Sequence, residues 1–172
     1  MPLQSGRFVG RLYRALNPVY ARDPLSGRGA ALFGGRFNQK GTETLYTALD
    51  PVTALREANQ VGDLQPTTLV AYRADLGPVF DTRDDTALAD RDIDAAALAD
   101  PGWRTAMLEG QTVPTQEFAK GLQADGYAAL LVRSYAHGAR ADQLNMVLWR
   151  WNKGGDDRLA VIDDENRLTR AP

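Results

Sequence analysis

The sequence predicts an α+β fold, a mixed β-sheet with its helices grouped mid-chain. Three observations lead there. Apolar strand-like runs occur near both ends of the 172-residue chain. The stretch 84–124 between them is rich in alanine and carries helix stops and starts. The order of strand, loop, strand, helix, strands, helices, strands lacks the regular alternation of a doubly wound sheet.

Residues 7–14 (Arg7-Phe8-Val9-Gly10-Arg11-Leu12-Tyr13-Arg14) form the opening strand. Residues 17–43 are rich in glycine, with Pro18 and Pro24 and little periodicity, which predicts a long loop; Tyr20, Phe33 and Phe37 argue that it is ordered. Thr44–Ala48 is a short strand. Asp50-Pro51 starts a helix, with aspartate as N-cap and proline at the first helical position. That helix is expected to turn Val52, Leu55 and Ala58 inward and to carry Glu57 on a flank. Thr67–Leu76 alternates Val70, Tyr72, Ala74 and Leu76 as a strand does, and Val79–Asp81 is a second short one. Residues 84–109 read as helices broken at Asp100-Pro101-Gly102, and Pro114–Ala124 as a helix stopped by Gly126. Tyr127–Arg133, Leu144–Trp151 and Leu159–Ile162 complete the strands. With no repeat and no low-complexity linker, residues 1–172 are expected to form one domain.

Composition narrows the function. Hydrophobic residues at 44% and charged ones at 24% are ordinary for a globular chain. The chain has no cysteine, so disulfide scaffolds and cysteine nucleophiles are excluded. No apolar run reaches membrane-spanning length and residues 1–20 lack the apolar segment of a signal peptide, so a cytoplasmic protein without membrane association is expected. The formal net charge of −2 offers no electrostatic footprint for direct nucleic-acid binding. Lysine is scarce (Lys40, Lys120, Lys153), so nearly all positive charge is arginine.

Several chemistries can be weighed. Ser134 lies close to His137, the sole histidine, but there is no Gly-x-Ser-x-Gly elbow. One histidine and no cysteine make a metal site unexpected. The acidic stretch Asp81–Asp94 is read as a solvated helix face, and Asp163-Asp164-Glu165 as a turn. The informative stretch is Ser26–Glu57. Ser26-Gly27-Arg28-Gly29-Ala30 and Gly34-Gly35-Arg36-Phe37-Asn38 match neither a P-loop nor a dinucleotide-fold fingerprint. Small residues nevertheless admit close approach of a ligand to the backbone, and arginines on such loops suit capture of phosphate or carboxylate. Tyr46 and Glu57 follow at spacings that return them to one cleft.

These segments together resemble the RES family, named for an arginine, a glutamate and a serine. The resemblance rests on Leu12-Tyr13-Arg14, Leu25-Ser26-Gly27-Arg28-Gly29-Ala30, Gly34-Gly35-Arg36-Phe37-Asn38 with Lys40-Gly41-Thr42, Leu45-Tyr46-Thr47-Ala48, Leu55-Arg56-Glu57, and Ser134 after the buried strand. Phe37 stands where the family often has tryptophan, and residues 84–125 carry no family signal. The resemblance implies an ADP-ribosyltransferase-like fold, NAD as substrate, no metal, and a toxin of a bacterial toxin–antitoxin pair. Members modify a protein acceptor, including a nucleotide-synthesis enzyme, or break down NAD as glycohydrolases or phosphorylases; protein ADP-ribosylation is the expectation here. Its antitoxin partner is expected to be Xre-like and to occlude the NAD cleft. Expected catalytic residues are Glu57, Tyr46 and Arg36; expected NAD-binding residues are Arg28, Arg36, Tyr46, Ser134 and Gly35. Glu57 would stabilise an oxocarbenium-like centre, the Tyr46 ring would stack on nicotinamide, Arg28 and Arg36 would clamp pyrophosphate, and Ser134 would hydrogen-bond the ribose or the carboxamide. A nucleotide- or partner-binding module without turnover is the non-enzyme alternative.

Overall fold

A computed structural model describes residues 3–59 and 64–168. Its seven strands are β1 (Phe8–Leu16), β2 (Leu45–Ala48), β3 (Thr68–Leu76), β4 (Val79–Asp81), β5 (Ala129–Arg133), β6 (Leu144–Leu148) and β7 (Arg158–Val161). They form one sheet in the order β4-β5-β6-β2-β1-β3-β7. Among the described strands only the β4–β5 pairing is parallel.

The link between β3 and β4 dictates the shape of this sheet. These strands occupy the sixth and first places in the order, yet only Gly77 and Pro78 separate them in sequence. Five strand spacings in a flat sheet would span about 24 Å. Three Cα steps reach at most about 11 Å. The sheet must therefore curl until its first and sixth strands meet. One core fills the concave side, with Leu12, Leu45, Tyr72, Val79, Leu131, Met146 and Leu159 drawn from all seven strands.

The other side of β4, β5 and β6 is covered by the mid-chain helices. These are α3 (Asp85–Ala89), α4 (Ala95–Ala99) and α6 (Pro114–Ala124); α5 (Trp103–Leu108) lies between the last two with no buried residue, and α1 (Arg28–Phe33) and α2 (Pro51–Ala58) come earlier in the chain. Leu88, Leu98, Phe118 and Leu122 pack there against Phe80, Leu130, Val132, Val147 and Trp149. The α+β expectation, with a mixed sheet and helices grouped mid-chain, holds.

Two parts of the sequence reading change. The loop 17–43 contains a turn of 3-10 helix at Pro18–Tyr20 and the six-residue helix α1. The acidic stretch does more than solvate a helix face. Asp84 caps α3 and Asp94 caps α4 by accepting from backbone N–H groups, and Asp81 takes a two-pronged contact from Arg83.

Candidate functional site

Residues on facing strands fall on one side of a sheet when their register and alternation agree. Tyr46 pairs with Val147, Ala48 with Asn145, and Asn145 with Val132. Tyr46, Asn145 and Val132 therefore share a face. Ser134, two residues beyond Val132, continues it, and its N–H still bonds Gln143 across the ladder at 2.9 Å. This is the face covered lower down by α3, α4 and α6. Its apolar floor gives way to polar side chains at Ser134 and Asn145.

Helix α2 brings the carboxylate over this floor. Asp50 caps it as expected, accepting from the Thr53 amide at 2.8 Å. The inward face, however, consists of Thr53, Ala54 and then Glu57, one turn along. Val52 is 56% exposed and Ala58 is exposed, so the expected face of Val52, Leu55 and Ala58 is corrected. Small residues at 53 and 54 let the helix lie close to the sheet, which delivers Glu57 to the polar floor. Its Oε1 accepts from Ser134 Oγ and from Asn145 Nδ2, each at 2.5 Å. The neighbouring Arg56 donates to Gln143 Oε1, fixing the same helix end to the β5–β6 connection.

The glycine loop is held from the opposite side. Gly35 and Asn38 bond each other through their main chains, with Arg36 and Phe37 at the tip. Each carbonyl of this tip has a side-chain donor: Gln116 to Gly35 at 2.8 Å, Thr115 to Arg36 at 2.6 Å, and the Trp149 indole to Phe37 at 3.0 Å. The buried Asn38 amide donates to the carbonyls of Ala30, Gln39 and Thr42. Tyr46 completes the arrangement. Its hydroxyl donates to Asn38 Oδ1 at 2.7 Å and accepts from the Phe37 amide at 3.0 Å. Burial drives the Tyr46 phenol well above its ordinary pKa, only partly opposed by the Phe37 amide and the charge of Arg36. Gly35 is required here for space: a Cβ would lie 2.3 Å from Tyr46 Oη and 2.6 Å from Asn38 Oδ1.

Arg36 is more occupied than a free phosphate clamp would be. Its Nη1 donates to the carbonyls of Leu98 at 2.9 Å and Asp100 at 2.7 Å. Its guanidinium lies 5.0 Å from the Tyr135 ring centroid and 5.7 Å from that of Trp103. Burial lowers its pKa, while Tyr135, Glu57, Asp100 and Tyr46 act in the opposite sense. Arg36 therefore supplies positive potential toward Glu57 and also pins the α4–α5 turn. Arg28 is exposed at the start of α1, and its guanidinium has no hydrogen bond or ion pair with another described residue. The segment before it is anchored, since Arg14 and Tyr72 donate to Pro24 and Arg14 also to Ser26.

The structure thus gathers Tyr46, Glu57 and Ser134, sets Arg36 within their electrostatic reach and Gly35 beneath Tyr46, and leaves Arg28 on the surface. Asn145, Thr115, Gln116 and Trp149 were not singled out from the sequence, and Asn38 entered only as the last residue of the glycine motif. Of the other four, Asn145 alone left a visible signal, as one polar residue inside the apolar run Leu144–Leu148.

A cavity of about 350 Å³ elsewhere, lined by residues including Arg7, Gly77, Arg150 and Asp157, is not a comparable site. Its arginines are already engaged: Arg150 donates to Asp157 at 2.7 Å, and Arg7 to Asp75, outside the cavity, at 2.5 Å. Among the described residues no group of three or more histidine, aspartate or glutamate side chains is placed to hold a metal ion. No described helix is long and apolar enough to cross a membrane.

A family model for the RES domain matches residues 11–171. The chain belongs to the RES-domain family. No curated protein matches it in sequence. Among solved structures, this RES domain resembles a chain in the crystal structure of the M. tuberculosis MbcT–MbcA toxin–antitoxin complex. The TM-score is 0.58 at 19% identity, over 91% of this chain and 83% of that one. At that identity the likeness concerns the fold.

Proposed function

We propose that this RES domain is the toxin of a toxin–antitoxin pair and that it consumes NAD, transferring ADP-ribose to a protein acceptor. The observation that carries the reading is the Glu57 carboxylate, held by Ser134 and Asn145 on a polar floor beside Tyr46 and facing the positive charge of Arg36. Breaking the nicotinamide–ribose bond sends its electron pair to the pyridinium nitrogen, releasing neutral nicotinamide and leaving an oxocarbenium-like ribose. Glu57 is suited to stabilise that charge and to accept a hydrogen bond from a ribose hydroxyl. A nucleophile of the acceptor protein then attacks the ribose carbon and loses its proton. The exposed Arg28 is suited to the pyrophosphate. Arg36, already committed to two carbonyls, acts through its field.

The fold likeness to a toxin–antitoxin complex supports the partner in this reading. An Xre-like antitoxin would occlude the cleft, with an acidic group of the partner on Arg28 in place of phosphate. The reading includes a cytoplasmic site of action, one domain over residues 1–172 and no metal.

The test is to incubate the purified chain with NAD labelled in its adenylate half and with cell extract, following free nicotinamide and label on protein. Nicotinamide matched by labelled protein supports the transferase. Nicotinamide with free ADP-ribose or its 1-phosphate would replace it with glycohydrolase or phosphorylase activity. NAD binding without nicotinamide release would leave a binding module.

A further inference from the structure

We propose that Asn145 is a positioning residue for Glu57: its amide aims the carboxylate at the reacting centre, and the strand accepts a stability cost to keep it there. The inference rests on the NAD-consuming reading above and adds a residue to it.

Asn145 is the second residue of β6, whose other residues Leu144, Met146, Val147 and Leu148 are all buried and apolar. Its neighbours in register are Ala48 on β2 and Val132 on β5. An aliphatic residue would suit that lattice. The asparagine instead sends Nδ2 to Glu57 Oε1 at 2.5 Å and leaves its own Oδ1 buried with no hydrogen-bond partner among the described residues. A buried acceptor without a donor is costly, and turning the amide over would place that oxygen against the carboxylate. Glu57 therefore dictates the orientation of Asn145, and Asn145 pays for it with an orphaned oxygen. Ser134 Oγ, one residue past the end of β5, donates to the same Oε1, also at 2.5 Å. Two donors, one on β6 and one just past the end of β5, converge on one oxygen and fix its place. The Arg56–Gln143 contact stops the helix end from drifting with it. A carboxylate misplaced by a fraction of a bond length stabilises a developing charge poorly while substrate binding is untouched.

The variants are Asn145→Leu, which keeps the branching and removes both polar atoms, and Asn145→Asp, which keeps the shape and replaces the donor with an acceptor. The readouts on the full chain are Tm, KM and kcat for nicotinamide release, and the crystal structure of each variant. For Asn145→Leu the expected result is a Tm no lower than wild type, kcat reduced at least tenfold and KM for NAD within twofold. Asn145→Asp should lose at least as much kcat, since it sets two carboxylates together, and it supplies the kinetic result if the leucine variant does not fold. A Ser134→Ala change should cost less in the Asn145→Leu background than alone, because both donors serve one oxygen. A folded variant with kcat within twofold of wild type overturns the proposal. So does a rise in KM at unchanged kcat, which would make Asn145 a substrate contact. If the wild-type chain releases no nicotinamide, the NAD reading falls, and the variant structures then decide the positioning role. Glu57 displaced from Ser134 in Asn145→Leu sustains it, and Glu57 unmoved overturns it.

Discussion

Replacing Gly35 by alanine adds one methyl group at the tightest point of the glycine loop. That carbon would sit 2.3 Å from Tyr46 Oη, 2.6 Å from Asn38 Oδ1 and 2.9 Å from Tyr46 Cζ, all nearer than real Cβ contacts allow. Neither neighbour can retreat cheaply. The Tyr46 hydroxyl is tied to Asn38 and to the Phe37 amide, and the Asn38 amide is tied to three carbonyls. Losing the two tyrosine bonds costs about 1 kcal/mol each, and overpacking adds about 1–3 kcal/mol. Restricting the unfolded chain returns about 0.4–1 kcal/mol. The net is about 2–5 kcal/mol, a fall in Tm of roughly 4–20 °C for a chain of this length. Thermal unfolding followed by circular dichroism measures it. The same substitution in a Tyr46→Phe background should cost about 1–2 kcal/mol less, because the nearest clashing atom is gone. A Gly35→Ala chain melting within 2 °C of wild type, or strict additivity with Tyr46→Phe, would refute the claim that Tyr46 and Gly35 are mutually fitted.

Other outcomes follow from the same geometry. Glu57→Gln should fold normally and release nicotinamide on the order of 100-fold more slowly; near wild-type turnover would remove Glu57 from the mechanism. Arg36→Lys should loosen the α4–α5 turn, since an ammonium cannot bond the Leu98 and Asp100 carbonyls while stacking on Tyr135 and Trp103. Limited trypsin digestion should then cut faster after Arg104, and an unchanged digestion rate would contradict that role. Arg28→Ala should leave Tm within about 1 °C, as expected of an exposed side chain, and weaken NAD binding measured by calorimetry; unaltered affinity would take Arg28 out of the phosphate site. The Tyr46 phenol titrates higher in the folded chain than in the unfolded one, so its contribution is fully present below about pH 10 and is lost as pH rises through the folded value. Wild-type Tm should therefore fall more steeply above pH 10 than that of Tyr46→Phe, and parallel profiles would show the phenol to be solvated.

The strands were legible because burial on one or both faces leaves a pattern, as in Val70-x-Tyr72-x-Ala74-x-Leu76. The start of α2 was legible because an aspartate cap and a first-turn proline act locally. Its inward face was not, because apolar residues were counted inward while close helix–sheet approach selected Thr53 and Ala54 for their size. Helix α1 was hidden by flanking glycines. At the site, Tyr46, Glu57 and Ser134 could be named one by one. The occupation of Arg36 by two carbonyls could not, since backbone partners some sixty residues away leave no mark in composition. Asn145 was visible as a polar break in an apolar strand, but its meaning depends on a helix that arrives from the other half of the chain.

That separation along the chain has a consequence in time. Ser134 and Asn145 follow Glu57 by 77 and 88 positions, and β2 meets β6 only when residues 144–148 have been made. At about 5–20 residues per second, a growing chain carries Glu57 without either donor for roughly 4–15 s. The ribosome thus releases a glutamate long before it releases a site. In the proposed pair, an antitoxin already made would meet the toxin when the cleft first exists, with synthesis itself supplying the delay.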